Sequence, residues 1–379
     1  MILLLCLALG GETPLGSPDF KGPFGFRGDG SGRFLAATPP LEWSETKNLR
    51  WSVEVGAGYA SPVLAGPLVI VVSEPNLVTA VERGSGKVAW KAVVAAEGPA
   101  AEYKPKDTGL AAATPVTDGL RVYAVFANGL VRALKLDGTT AWTAYIDAPQ
   151  NTAYGRSASP VLTDGKLIVH MTHLYAFDPG SGKRLWVNEE SRCSYGTPAV
   201  LKDVVVTPAG DVVRLADGKT VNSQISNSAH ASPVVVDGTI YYGEKDVRAL
   251  RLGAEYKDQS LWNAELMGEV YGSPLPHDGL LFTVTDKGLL SAFENGKAVI
   301  EARGLFEEAV ADHVYSSLTL AGKHLFLLAN DGETLVLEAT KEAKVVARNK
   351  LKEGSGAAPV FSGKDIFLRA GSKLVRVAE

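Results

Sequence analysis

The chain has 379 residues, with 38 Lys and Arg against 42 Asp and Glu, a formal net charge of −4 and 46% hydrophobic residues. That balance excludes a disordered chain and removes the electrostatic case for binding nucleic acid or a polybasic contact with a membrane. Cys6 and Cys193 are the only cysteines, which excludes a disulfide framework and a multi-thiolate zinc site, while 40 Gly and 20 Pro point to many turns.

Ile2 to Leu9 is an apolar run of 8 residues, and Ala8-Leu9-Gly10 has the small-residue pattern of a signal-peptidase site, although the charged start of such a segment is missing. Residues 1–10 are a candidate signal segment, and a periplasmic or otherwise extracytoplasmic location is expected. Cys6 follows Leu5 where a lipoprotein would carry a small residue, which argues against lipid anchoring. No other run approaches the roughly 20 apolar residues of a membrane span, so none is expected in the mature chain. Residues 11–47 read as a Gly/Pro-rich leader outside the repeats that follow. Within it, Gly28-Asp29-Gly30-Ser31-Gly32 lacks the Lys and the helix of a phosphate loop and reads as a flexible turn. Arg27-Gly28-Asp29 matches an integrin-type tripeptide by chance.

From residue 48 onward the chain repeats. Each unit opens with a small residue, Pro and an apolar residue, followed a few positions later by a turn: Ser61-Pro62-Val63, Thr114-Pro115-Val116, Ser159-Pro160-Val161, Thr197-Pro198-Ala199, Ser232-Pro233-Val234, Ser273-Pro274-Leu275 and Ala358-Pro359-Val360. Ser317-Leu318 aligns as the remaining unit, with Leu in place of Pro. The Pro-equivalent positions are separated by 53, 45, 38, 35, 41, 44 and 41 residues, the period of a four-stranded propeller blade. In the third unit the strands are expected at Pro160–Leu162, Leu167–Met171, Leu174–Asp178 and Arg184–Asn188, apolar on both faces because each blade is sandwiched between two others. The last unit has room for about three strands. Leu49 to Val55, which precedes the first unit, is an orphan strand expected to complete the eighth blade and close the ring.

A second element ends the blades. Ala80, Glu82, Gly86, Lys87 and Trp90 recur at identical offsets as Ala176, Asp178, Gly182, Lys183 and Trp186. The acid and Gly suit a hairpin turn, and the Trp offers a flat face to the adjoining blade. Trp51, Trp90, Trp142, Trp186 and Trp262 are the docking tryptophans. With the Ser-Pro-Val opening, this element resembles the PQQ-like β-propeller repeat of quinoprotein alcohol dehydrogenases and BamB-like outer-membrane assembly proteins. The resemblance covers about residues 48–379 and implies an all-β, eight-bladed propeller of four-stranded antiparallel blades.

If the first strand of each blade lines the channel, the residues three before the Pro position stand at one mouth: Tyr59, Ala112, Ser157, Tyr195, His230, Tyr271, Tyr315 and Gly356. Five are Tyr or His, which gives either a docking rim or one packing solution reused around the ring. Arg156, with Asn151 and Tyr154, could add polar contacts there. The long first-to-second spacing places an insertion at Val93–Leu110, where Tyr103, Lys104 and Lys106 are candidate contacts.

The resemblance also implies an alternative. A quinoprotein-like dehydrogenase would need PQQ with calcium, held by a convergent carboxylate and amide cluster and by adjacent cysteines. Asp312-His313 and Glu307-Glu308 are fragments without an identifiable partner, and Cys193 stands alone, an inert thiol by expectation. His170 and His173 diverge in a strand-turn context and make no metal site. The expected function is therefore a non-catalytic, monomeric scaffold of the cell envelope without cofactor, metal or catalytic residues, binding a protein partner on one rim. A small-ligand sensor module is a further alternative.

Overall fold

A computed structural model describes residues 22, 24–94, 109–146, 158–191, 195–307 and 313–379. Eight four-stranded antiparallel blades follow one another around an axis, with strands in chain order from inside to outside except in the eighth, whose outermost strand comes from before the first blade. The third blade has strands Val161–Thr163, Lys166–His170, Leu174–Phe177 and Arg184–Asn188, within one or two residues of the expectation. Its two-residue turn needs positive φ at Asp164 and Gly165, a conformation that Asp and Gly adopt at low cost.

Burial depends on the strand's place in the blade. The second strand of blade 1, Leu68–Ser73, is buried at every position, whereas the outermost, Val88–Val93, alternates toward solvent. Sandwiching by neighbours therefore holds for the middle of each blade, and the outer strand reads as a half-exposed strand. The ring closes as the strand count requires. Leu49–Glu54 pairs antiparallel with Lys373–Val377, from Leu49 opposite Val377 to Glu54 opposite Lys373.

The tryptophans join successive blades. The indole N–H groups of Trp51, Trp90, Trp142 and Trp186 donate to the carbonyls of Arg83, Leu136, Pro179 and Leu215 at 3.0, 2.7, 2.8 and 3.0 Å. Each carbonyl belongs to the turn before the outer strand of the next blade. In that turn a positive-φ glycine lies flat under the ring: a Cβ on Gly182 would stand 2.5 Å from Trp142. Trp262 packs in the same way over Gly296. Acid, Gly and Trp thus form one inter-blade joint, the turn of one blade receiving the Trp of the blade before it.

The leader is not outside the ring, which corrects the expectation for its described part. Arg33–Phe34 adds as a fifth, parallel strand to the channel side of blade 7, Arg33 opposite Leu320 and Phe34 opposite Ala321. Phe24 exchanges backbone hydrogen bonds with Thr117 of blade 2, and Thr38 N–H donates to Gly363 of blade 8. The cause is apolar content: Phe24, Phe34 and Trp43 are fully or almost fully buried, each worth about 1.5–3 kcal/mol of transfer free energy. Phe34 packs on Phe361 and Trp43 on Phe326. Nor is Gly28–Gly32 a free turn. It folds around Arg27, whose guanidinium donates to Pro274 O and Leu318 O inside the channel, so the Arg-Gly-Asp tripeptide is not displayed.

Candidate partner-binding mouth

The two mouths of the channel differ. The described part of the leader pairs along the inner strands and reaches their C-terminal ends, so that among the described residues the opposite mouth, where each inner strand begins, is left open to the residues just before the Pro positions. Between the leader and the inner strands of blades 2 to 5 remains a cavity of about 440 Å3. Its lining includes Val116, Val161, Leu162 and Val200, and among the described residues its one charged lining residue is Asp29, whose carboxylate is already engaged by the Ser31 amide and hydroxyl.

A belt of side-chain hydroxyls sets the spacing at the open mouth. The residue before each Pro accepts a hydrogen bond from the backbone N–H of its counterpart one blade earlier. Ser61 N–H donates to Thr114 Oγ1 (3.0 Å), Thr114 to Ser159 Oγ (3.0 Å), Ser159 to Thr197 Oγ1 (2.9 Å) and Thr197 to Ser232 Oγ (2.9 Å). Ser232 donates to Ser273 Oγ (3.3 Å), Ser273 to Ser317 Oγ (2.9 Å) and Ala358 to Ser61 Oγ (3.1 Å). Only at Ala358 is there no hydroxyl to accept. These groups are buried, so each bond satisfies an N–H that would otherwise be stranded.

Two residues before the belt stand the aromatic candidates. Tyr195 stacks on His230 with centroids 5.0 Å apart and planes at 7°. His230 meets the edge of Tyr271 at 5.2 Å, and Tyr271 lies 5.6 Å from Tyr315. The four rings form a continuous arc over blades 4 to 7. Tyr59, 43% exposed, stands apart from it beyond Gly356 in the blade between. The glycine after two of these tyrosines permits close approach: a Cβ on Gly196 would lie 3.1 Å from His230 O, and one on Gly272 2.9 Å from Ser316 O. Arg156, Asn151, Tyr154 and Ser157 lie outside the described residues, as do Tyr103, Lys104, Lys106, Cys6, Cys193, Glu308 and Asp312.

Glu244 anchors the arc. Its carboxylate, almost fully buried, accepts from the amides of Ala229, His230 and Ala231 at 2.8, 2.8 and 3.0 Å, and lies 3.2 Å from His230 Nδ1. Burial pushes its pKa up, but the His230 ring and the three amides outweigh that, leaving the carboxyl below its ordinary range. Glu74 makes a related clasp on the amides of Leu110 and Ala111. There burial prevails over the amides and Arg369, and the pKa is raised. Arg369 is buried at the ring closure, donating to Gly56 O, Val72 O and Ser73 Oγ, and burial lowers its pKa to about 10. Glu244 and Glu74 escaped the sequence reading because neither follows the repeat; an acid at the end of a blade's second strand is the one available signal.

The described members of the catalytic fragments do not assemble with a convergent partner. His313 stacks on Phe306 at 4.5 Å, with Nε2 3.8 Å from Asp331, and Glu307 is exposed. His170 ends its strand, and His173 lies beyond it beside Tyr175. Among the described residues no group of three His, Cys, Asp or Glu could hold a metal ion. The cavity's apolar walls and single engaged carboxylate do not fit a quinone with calcium.

The model of a protein family described as outer membrane protein assembly factor BamB matches residues 41–245 and 171–301, together more than half of the chain. The chain belongs to the BamB family. BamB of Yersinia pestis is 26% identical over 324 residues, covering 82% of this chain and 69% of its own. The crystal structure of BamB from Moraxella catarrhalis superposes with a TM-score of 0.63 at 14% identity, over 87% of this chain and 97% of that one. A europium-containing methanol dehydrogenase gives 0.65 at 13% identity, over 91% and 89%. At such identities the two structural likenesses show the fold alone, shared by BamB and dehydrogenase, and the site must decide function.

Proposed function

We propose that the chain is a non-catalytic, BamB-like scaffold of the cell envelope that docks a protein partner on the open mouth of its propeller. The observation that carries this reading is the arc Tyr195–His230–Tyr271–Tyr315, four contiguous rings at the mouth opposite the one that the described part of the leader reaches. Tyr and His present large, rigid contact area with polar tips, which suits partner recognition. Membership of the BamB family supports a role in outer-membrane protein assembly and an extracytoplasmic location. Among the described residues no helix is long and apolar enough to cross a membrane. The poor fit of the channel to quinone and calcium supports a role without cofactor.

The test replaces Tyr195, Tyr271 and Tyr315 together by Ala and measures capture of outer-membrane assembly proteins from an envelope extract, with unfolding followed in parallel. Capture should be lost while unfolding stays cooperative. Undiminished capture by the folded variant would refute the docking site.

A further inference from the structure

Charge is distributed unequally between the two ends of the propeller. In each blade the connection leading into the inner strand and the loop between the second and third strands lie at the mouth bearing the arc; the other two turns lie at the opposite end. Among the described residues outside strands, the connections at the arc's end carry ten Asp or Glu against three Lys, whereas those at the opposite end, the leader aside, carry ten against ten Lys or Arg. An overall charge near neutrality conceals this difference.

Several of these acids are committed to structure. Glu74 and Glu244 clasp backbone amides, and Asp331 pairs with Lys350 at 2.6 Å. Five glutamates remain exposed: Glu189, Glu190, Glu269, Glu307 and Glu353. All but Glu353 share their connections with the aromatic residues. Glu189 and Glu190 precede Tyr195, Glu269 precedes Tyr271 and accepts its phenolic hydrogen at 2.9 Å, and Glu307 precedes Tyr315. Half-exposed or exposed aromatic rings and, among the described residues, carboxylates without a cationic partner therefore share the same sector.

We infer that this mouth selects a cationic partner segment, an extended Arg- or Lys-bearing stretch of a protein, with its cations over the tyrosine rings and its charge balanced by the surrounding glutamates. The inference rests on the docking reading above and adds the chemistry of the occupant. The negative face of a Tyr ring attracts a guanidinium, and Arg stacks on such a face better than Lys. Carboxylates around the mouth add long-range attraction, which raises the association rate and is screened by salt. An acidic or apolar partner would meet this ring of charge without compensation.

The test uses the full chain and short fluorescein-labelled peptides that alternate Ser with Arg, with Asn or with Glu, read by fluorescence anisotropy. The Arg peptide should bind, weakening as salt rises, and the Asn and Glu peptides should not. Glu269→Gln combined with Glu307→Gln should weaken the Arg peptide about threefold to tenfold. Glu255→Gln combined with Glu342→Gln, exposed at the opposite end, should leave it unchanged. Absence of Arg-peptide binding at low salt, equal binding of the Asn peptide, or equal losses from the two pairs of substitutions would overturn the inference. Loss of protein capture in the tyrosine variant, alongside no effect of Glu269→Gln and Glu307→Gln on capture or peptide, would retain the docking site and reject its preference for cations.

Discussion

Ser232→Ala removes one acceptor from the hydroxyl belt and leaves the Thr197 N–H, now 2.9 Å from Ser232 Oγ, buried without a partner. A stranded buried donor costs about 1–3 kcal/mol. For a chain of 379 residues, the unfolding entropy makes each kcal/mol worth about 1.3 °C in Tm, so a fall of roughly 1–4 °C is expected by scanning calorimetry. Faster hydrogen exchange at the Thr197 amide should accompany it. Ser232→Thr should retain most of the stability, because Thr114 and Thr197 fill the same position elsewhere in the belt. Ala358→Ser should act in the opposite direction by offering the Ser317 N–H the acceptor it lacks, a gain of about 0.5–1.5 kcal/mol. Equal stability of Ser232→Ala and Ser232→Thr, with no protection lost at Thr197, would refute the belt as a source of stability.

Glu244→Gln should cost about 1.5–3 kcal/mol at neutral pH, since it weakens charge-assisted bonds to three amides. The folded carboxyl titrates below its ordinary 4.5, so its contribution is complete above that value and is lost as pH falls through the folded pKa. Denaturant midpoints of variant and parent should therefore converge as pH falls below the ordinary carboxyl range. Glu74 has the opposite sign. Its raised pKa makes its contribution greatest at low pH and reduced as pH rises through the folded value, so Glu74→Gln should cost less than Glu244→Gln at neutral pH in the same assay. Gly182→Ala would place Cβ 2.5 Å from Trp142 at a φ of +73° and should lose about 1–3 kcal/mol by calorimetry. Gly165→Ala, at φ +65° with nothing within 4 Å, should show the smaller cost of strain alone.

Repetition explains why so much of the fold could be read without coordinates. Each blade buries its middle strands against two neighbours, so the apolar runs, the turn glycines and the period near 42 residues all carry the same information. Closure followed from strand counting, because Leu49–Glu54 had no other partner and the last unit lacked a strand. The Trp and the glycine of the turn were both visible, but not that the Trp of one blade lies on the glycine of the next.

Relations between blades are what the sequence left open. The recurring Ser or Thr before Pro was legible as a pattern; its role as acceptor for an amide some 40 residues away depends on how the blades are set around the axis. The same arrangement brings Tyr195, His230, Tyr271 and Tyr315 into contact from four separate repeats, while Tyr59 is separated from them by one glycine-bearing blade. The leader's place was equally hidden. Its glycines and prolines suggested a tail, and only the channel, with free backbone groups on Leu320 and Thr117 and room for Phe34 and Arg27, makes it part of the core. Local pattern determined the blade, because each strand's burial is written in its own residues. Tertiary structure decided the mouth, because the hydrogen bonds, ring contacts and, among the described connections, excess of negative charge there join residues that no local period connects.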